Sequence, residues 1–286
     1  MKAQKARLYK DVEFLTEIRP FRNYRNLESL KTAREYIEQE FENAGYKTEI
    51  QSWIADNKAY SNVIASYNSH KSKRLIIGAH YNVYGDQPGA DDNASAVAGL
   101  LETARLIAKT KPDIDYRIDF VAYCLEEPPF FGTDQMGSYI HAKSLYDNKI
   151  DVLGMICYEM IGYFSDEPGS QSLPNQEIPG NYPDVGNFII VVGIEQHSSF
   201  SNRIHKSMLQ NENIDTQLIN FPDYKGLAGL SDQRNYWKFG YDAVMINDTS
   251  FLRNPHYHLI SDTIDTLNFD KMTEVVNAAY IAVSKL

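Results

Sequence analysis

Three short apolar runs each end on a residue able to bind a metal or move a proton. RLIIGAH (74–80) ends on His80, YRIDFVAYCLEE (116–127) on Glu126 and Glu127, and DVLGMICYE (151–159) on Glu159. Runs of this length that stay apolar throughout are the pattern of strands buried on both faces. Between the first two lies NASAVAGLLETARLIAK, which places Val97, Leu100, Leu101, Ala104 and Ala108 on one helical stripe. DQMGSYIHAKSLY, between the second and third, predicts another helix. Strands joined through helices pair in parallel, because the helix carries the chain back to the starting edge. Parallel strands bring their C-terminal ends to one edge of a sheet, where ligand sites form. His80, Glu126, Glu127 and Glu159 are therefore expected on one patch, with Asp91 and Asp92 at the entry to the first helix.

The rest of the chain continues the pattern. Residues 26–45 read as an amphipathic helix with Leu30, Ala33, Ile37, Phe41 and Ala44 on one stripe. Residues 46–66 hold two strand-like runs, expected as an antiparallel pair at one edge. NFIIVVG and DAVMIND predict strands; HSSFSNRIHKSML, SDQRNYWKFG and FDKMTEVVNAAYIAVSKL predict helices. The expected fold is a three-layer α/β/α sandwich with a mixed, mostly parallel central sheet, one domain over residues 1–286. The stretch 164–187, rich in Pro, Gly, Ser and Asn, predicts a long loop inside that domain, and loops of this length are often functional.

Composition narrows the function. A net charge of −10 argues against a nucleic-acid partner, which needs clustered Lys and Arg. No run of 18 apolar residues is present, so no membrane insertion is expected. The first twenty residues lack the apolar segment of a secretory leader. A chain trimmed of its leader reads the same, so cytoplasmic and secreted placements both stay open, as does oligomeric state. Two cysteines, Cys124 and Cys157, cannot build a disulfide framework, and they read as small buried residues.

Each chemical signal is weak alone. Adjacent glutamates are usually solvated, two aspartates before a helix usually cap it, and a histidine at a strand end is usually structural. Their joint occurrence at successive strand ends points to a metal site. Zinc takes imidazole nitrogen and carboxylate oxygen, and hydrolysis needs a water and a base besides. Of two neighbouring glutamates, one can bind metal while the other moves protons.

Five blocks, GAHYN…PGADDNASAVAGLLETARL, VAYCLEE…FFGTDQMGS, ICYEMIGYF, GLSDQRNYW and NPHYHLISDTIDTL, together resemble the zinc-dependent aminopeptidase family. That family includes bacterial leucyl aminopeptidases, glutamate carboxypeptidase II and the glutaminyl cyclases. The blocks follow the family's order over roughly residues 75–270. The resemblance implies two zinc ions. His80 and Glu159 would bind the first, Glu127 and His258 the second, and Asp92 would bridge them. Glu126 would be the general base, and Tyr257 would stabilise the tetrahedral intermediate, as its counterpart does in some relatives. His256 competes with His258, but the YHxxxDT pattern selects His258. Asp91 would support the ligands, while His70, His141, His197 and His205 match no ligand position.

Three positions depart from the family's pattern. Asn82 stands where an Asp usually accepts the second ring N–H of the ligand histidine. Its amide oxygen could still accept, without the charge. Glu159 replaces Asp in several relatives, and Gln233 stands where SDH is common, at a position lining the cleft. The first two departures concern the same metal, so the first zinc is expected to bind more weakly than the second. The implied activity is an exopeptidase acting on peptides, most simply an aminopeptidase. The alternatives are a glutaminyl cyclase with a single zinc and a catalytically weak binding protein on the same fold.

Overall fold

In chain order, the computed structural model contains α1 (Lys5–Glu17), α2 (Leu27–Asn43), β1 (Thr48–Ala55), β2 (Lys58–Tyr67), β3 (Arg74–His80), α3 (Ala96–Thr110), β4 (Arg117–Tyr123), α4 (Gly137–Asp147), β5 (Val152–Glu159), β6 (Phe188–Ile194), α5 (Ser198–Met208), β7 (Asp215–Phe221), α6 (Gln233–Lys238), β8 (Ala243–Asn247) and α7 (Phe269–Val283). The structure describes residues 1–172 and 182–286. The loop expected over 164–187 therefore lies partly outside the described residues.

The eight strands form one mixed sheet in the order β1-β2-β4-β3-β5-β8-β6-β7. β4, β3, β5 and β8 are parallel neighbours, and β7 is parallel to β6. β1 and β2 form the expected antiparallel edge pair, and β2 is antiparallel to β4. β6 is also antiparallel to β8, a reversal that the strand-helix alternation does not reveal.

Side chains alternate across the sheet with period two and feed two cores. Leu75, Ile77 and Ala79 of β3, Ile118, Phe120 and Ala122 of β4 and Ile156 and Tyr158 of β5 pack with α1, α2, α3, α5 and α7. Ile76, Val121, Tyr123, Met155 and Cys157 pack on the opposite face with α4 and α6. Both faces of the central strands are covered, which is why those segments are apolar throughout. Cys124 and Cys157 are free and buried, as expected.

Two elements add to those legible in the sequence. α1 buries Leu8, Val12 and Leu15 at helical spacing, but the charged residues of its outer face interrupt the apolar pattern along the chain. β7 is an edge strand with several side chains only partly buried, so it lacks the apolar run of an interior strand.

His141 belongs to the second core. Its Nδ1 lies 2.6 Å from the Tyr236 hydroxyl, which in turn lies 2.6 Å from the Tyr123 hydroxyl. Burial pushes its pKa down to about 4. In the unfolded chain a histidine titrates near ~6.5, so the unfolded state binds more protons between those values. The stabilisation is fully present above pH ~6.5 and is lost as pH falls toward 4. Urea unfolding at about pH 7.5 and about pH 5 should show the wild type losing roughly 1–2 kcal/mol more than His141→Gln, which cannot acquire the charge. Equal losses would contradict this account.

Candidate metal centre

The parallel strands deliver the site residues to one edge. His80 is the last residue of β3 and Glu159 the last of β5. β4 ends at Tyr123, and the chain then turns through Leu125, at φ +64°, to present Glu126 and Glu127. Met160, directly after Glu159, has φ +45°, and His258 has φ +59°. Such left-handed backbone costs residues other than glycine roughly 1–3 kcal/mol each and collects where a site over-determines the geometry.

Three overlapping groups of donors meet here. His80, Asp92 and Glu159 form one set and Asp92, Glu127 and His258 a second, while His80 also comes together with Glu126 and Glu127. His80 Nε2 lies 3.4 Å from Asp92 Oδ1 and 3.3 Å from Glu159 Oε2. His258 Nε2 lies 3.1 Å from Asp92 Oδ2 and 3.4 Å from Glu127 Oε2. Donors around a tetrahedral zinc at 2.0–2.1 Å are separated by about 3.4 Å; the distances from each histidine match that value, and the donors of each set all lie within 4.8 Å of one another. Asp92 turns one carboxylate oxygen to each set. Among the described residues its Oδ1, Glu127 Oε1 and His258 Nε2 are buried with no hydrogen-bond partner, as atoms reserved for a cation would be. His256 faces elsewhere, with Nδ1 3.0 Å from the Ser261 hydroxyl.

The electrostatics agree with a cation site. Burial, reinforced by Glu127, Glu159 and Asp232, pushes Glu126 well above the usual carboxylate range. Burial and the Asp92 charge push Glu127 up to about 7. At Asp92 burial acts in the same direction, but the attraction of the neighbouring His258 and His80 rings outweighs it and holds the carboxyl low. Acidic groups this crowded and this buried suit a divalent ion, whose charge offsets their mutual repulsion.

A framework of hydrogen bonds fixes the donors. Asp262 accepts the main-chain N–H of Asp91 at 2.9 Å and of Asp92 at 3.0 Å. Four successive N–H groups after β5, those of Met160, Ile161, Gly162 and Tyr163, donate to Asn93, Ser95, Asp91 and Asp248 respectively. Asp91 thus ties α3 to the end of β5 and stands behind the donors. Glu159 Oε2 accepts from the Ser231 hydroxyl at 2.6 Å and the Asn93 amide at 3.2 Å. Arg22 is buried, and its guanidinium donates to the carbonyls of Leu15, Tyr81, Pro88 and Gly89, clasping the loop between His80 and Asp92. Gly89 has φ +61°, and a Cβ there would sit 2.3 Å from the Asp92 carbonyl oxygen. Neither Arg22 nor Asp262 stood out as a site residue in the sequence. Arg22 binds main-chain carbonyls, which leave no sequence pattern, whereas Asp262 is the acidic position of YHxxxDT.

Two expectations need correction. The second ring nitrogen of His80 lies 3.0 Å from the main-chain oxygen of Asn82, not from its amide. That carbonyl takes the ring N–H and leaves Nε2 for a metal. The Asn82 amide oxygen instead accepts the main-chain N–H of Glu126 at 3.1 Å. Gln233 does not line a cleft: it is fully buried and donates to the Ala228 carbonyl at 2.8 Å. Asn82→Ala should therefore leave metal uptake nearly unchanged. It should cost about 1–3 kcal/mol of stability by stranding the Glu126 N–H. Metal content and urea unfolding measured together check this, and a large loss of metal without loss of stability would contradict it.

Comparison with known proteins places the chain in a family. The model of peptidase family M28 matches residues 62–283. The chain is 40% identical over 283 residues to the uncharacterized protein YfbL of Escherichia coli, covering 96% of this chain and 86% of that one. It is 26% identical over 231 residues to leucine aminopeptidase 1 of Arthroderma otae, covering 76% of this chain but only 56% of that relative. Among solved structures, the LapA aminopeptidase of Legionella pneumophila superposes with a TM-score of 0.78 at 20% identity, over 99% of this chain and 72% of that one. The glutaminyl cyclase of Fimbriiglobus ruber does so with a TM-score of 0.74 at 19% identity, over 99% and 96%. The two structures share the fold, and the family match with the 40% relative settles descent: the chain belongs to peptidase family M28, a family of peptide hydrolases.

Proposed function

We propose that the chain, acting as one catalytic unit over residues 1–286, is a metallo-aminopeptidase that removes apolar N-terminal residues from peptides. The observation that carries this reading is a mostly apolar cavity of about 80 Å³ opening beside the donor sets. Glu159 and Tyr257 line it together with Ile190, Val192, Phe221 and Met245. A peptide whose first carbonyl lies at the donor sets sends its first side chain into that cavity. The mostly apolar walls favour an aliphatic or aromatic side chain over a charged one, which would lose its water for few polar partners, chiefly Asn247, Thr249 and Ser250.

His80, Asp92 and Glu159 would hold one zinc, and Asp92, Glu127 and His258 a second. Bound zinc supplies Lewis-acid polarisation of the carbonyl and acidifies water. Glu126 takes the proton of the attacking water and returns it to the leaving amine. Its oxygen is 3.7 Å from His80 Nε2, at the margin of the first set. Its buried, carboxylate-rich surroundings raise its proton affinity above that of a free carboxylate, which suits a group that both accepts and donates a proton. The Tyr257 hydroxyl donates to the oxyanion that develops on the carbonyl. We assign the weaker zinc to the first set, because Glu159 Oε2 is already shared with Ser231 and Asn93, whereas among the described residues Glu127 Oε1 and His258 Nε2 of the second set have no hydrogen-bond partner. The glutaminyl cyclase reading needs only Asp92, Glu127 and His258, but the apolar cavity suits a glutaminyl side chain less well.

Metal-loaded protein should release amine from leucyl and phenylalanyl amides at least about tenfold faster, in kcat/KM, than from aspartyl or lysyl amides. It should leave N-acetylated peptides intact, and a chelator should abolish the activity. Glu126→Gln should lower kcat about 10²–10⁴-fold with metal retained. Cyclisation of an N-terminal glutaminyl peptide without amide hydrolysis would replace this reading with the cyclase. Silence in both assays, unaltered by Glu126→Gln, would replace it with a binding protein.

The cavity makes a separate prediction. Val192→Phe should fill it and lower kcat/KM for the leucyl amide while sparing an alanyl amide. Equal losses on both substrates would remove the cavity from the reading.

A further inference from the structure

The two histidines of the donor sets are held by different devices. The ring of His80 is oriented by a hydrogen bond from Nδ1 to the Asn82 carbonyl oxygen, 3.0 Å away. Among the described residues, the corresponding nitrogen of His258 has no such partner, and the backbone of His258 is left-handed. Its ring is instead stacked twice. The Tyr84 ring lies 4.1 Å from it, centroid to centroid, at an interplanar angle of 6°. The Tyr257 ring lies 3.8 Å away at 17°. Two nearly parallel rings this close cannot share one face of an imidazole, so the tyrosines occupy opposite faces.

Tyr257 is part of the resemblance that points to the active site, but Tyr84 is not. It sits in the loop between β3 and α3 and is 40% exposed. A tyrosine so exposed gains little from burial, yet it is laid flat on a donor ring. A histidine that binds metal becomes electron-poor, and the negative faces of two phenol rings favour that form over the free imidazole.

We propose that Tyr84 is a positioning residue for the metal centre: with Tyr257 it clamps the His258 ring between two aromatic faces and does for His258 what the Asn82 carbonyl does for His80. The inference rests on the reading that Asp92, Glu127 and His258 hold a divalent ion. It assigns to Tyr84 an effect on one of the two sets only. A phenyl ring supplies the same face, so the hydroxyl is dispensable.

The test is zinc affinity, measured on metal-free protein by competition with a chromophoric chelator, with Tyr84→Ala, Tyr84→Phe, His258→Ala and His80→Ala compared. Tyr84→Ala should weaken the site that His258→Ala abolishes by about tenfold or more, the range for removing a group that orients a metal ligand. The site that His80→Ala abolishes should keep its affinity. Tyr84→Phe should bind like the wild type, and metal-free Tyr84→Ala should melt with the wild type. Wild-type affinity at both sites in Tyr84→Ala would overturn the proposal while leaving the metal reading intact. Equal weakening of both sites, or failure of Tyr84→Phe to restore affinity, would overturn it as well. If wild-type protein bound no zinc, or His258→Ala lost none, the metal reading itself would fall and the proposal with it.

Discussion

Asp91, Asp92, Glu126, Glu127, Glu159, Asp232, Asp248 and Asp262 are all buried at one edge of a single sheet. Carboxylates in such a place repel one another and have lost their water, and either effect alone would destabilise the fold. Much of the local architecture is a response to this constraint. Asp91, Asp248 and Asp262 accept main-chain N–H groups, a neutral form of compensation that the chain can provide wherever it turns. Asp92, Glu127 and Glu159 face imidazole nitrogens, and among the described residues Asp92 and Glu127 each keep a buried oxygen with no hydrogen-bond partner. The first group is satisfied by the protein; in the second, Glu159 also accepts from Ser231 and Asn93, whereas Asp92 and Glu127 each keep an oxygen open to a cation.

This division explains why Arg22 matters although it touches no donor. A guanidinium buried among carbonyl oxygens is unusual, since it must be fully hydrogen-bonded to offset its desolvation. Its four carbonyl partners lie at the end of α1 and around the loop from Tyr81 to Gly89. That loop joins His80 to Asp92, which supply donors from opposite ends of it. The N-terminal helix thereby becomes part of the site's support, and the loop is held in shape before any ligand arrives.

How far the sequence discloses this depends on the kind of interaction. His80, Glu126, Glu127 and Glu159 were legible because strand ends are marked by the close of an apolar run, and parallel pairing then puts them together. His258 could not be placed by periodicity, because it lies in an irregular segment with left-handed backbone; only the pattern around it singles it out. Asn82 was legible as a departure but not in its consequence. Side-chain and main-chain oxygens of one residue are equivalent on paper, and only the turn after β3 decides which of them meets His80 and which meets the Glu126 N–H. Arg22 and α1 were missed for a related reason, since contacts to carbonyls and a helix with a charged outer face leave faint traces. Gln233 was misplaced because resemblance gives a position in a motif, not the direction of its side chain.

The cavity beside the donors has its origin in the unequal layers of the fold. Five helices, α1, α2, α3, α5 and α7, cover one face of the sheet, but α4 and α6, of 11 and 6 residues, pack on the other. Toward the β6–β7 edge that second face is apolar, with Ile190, Val192, Ile219 and Phe221 contributed by those two strands. The reversal of β6 against β8 sets Ile190 beside Asn247, at the end of β8 where the donors lie, and Val192 beside Met245. An apolar surface that a short helix leaves partly uncovered is thus carried to the edge that holds the donor sets by a strand running the opposite way. The donor sets require the parallel half of the sheet, and the cavity requires the antiparallel reversal. A fully parallel sheet, simpler to infer from the sequence, would present the chemistry without this apolar surface beside it.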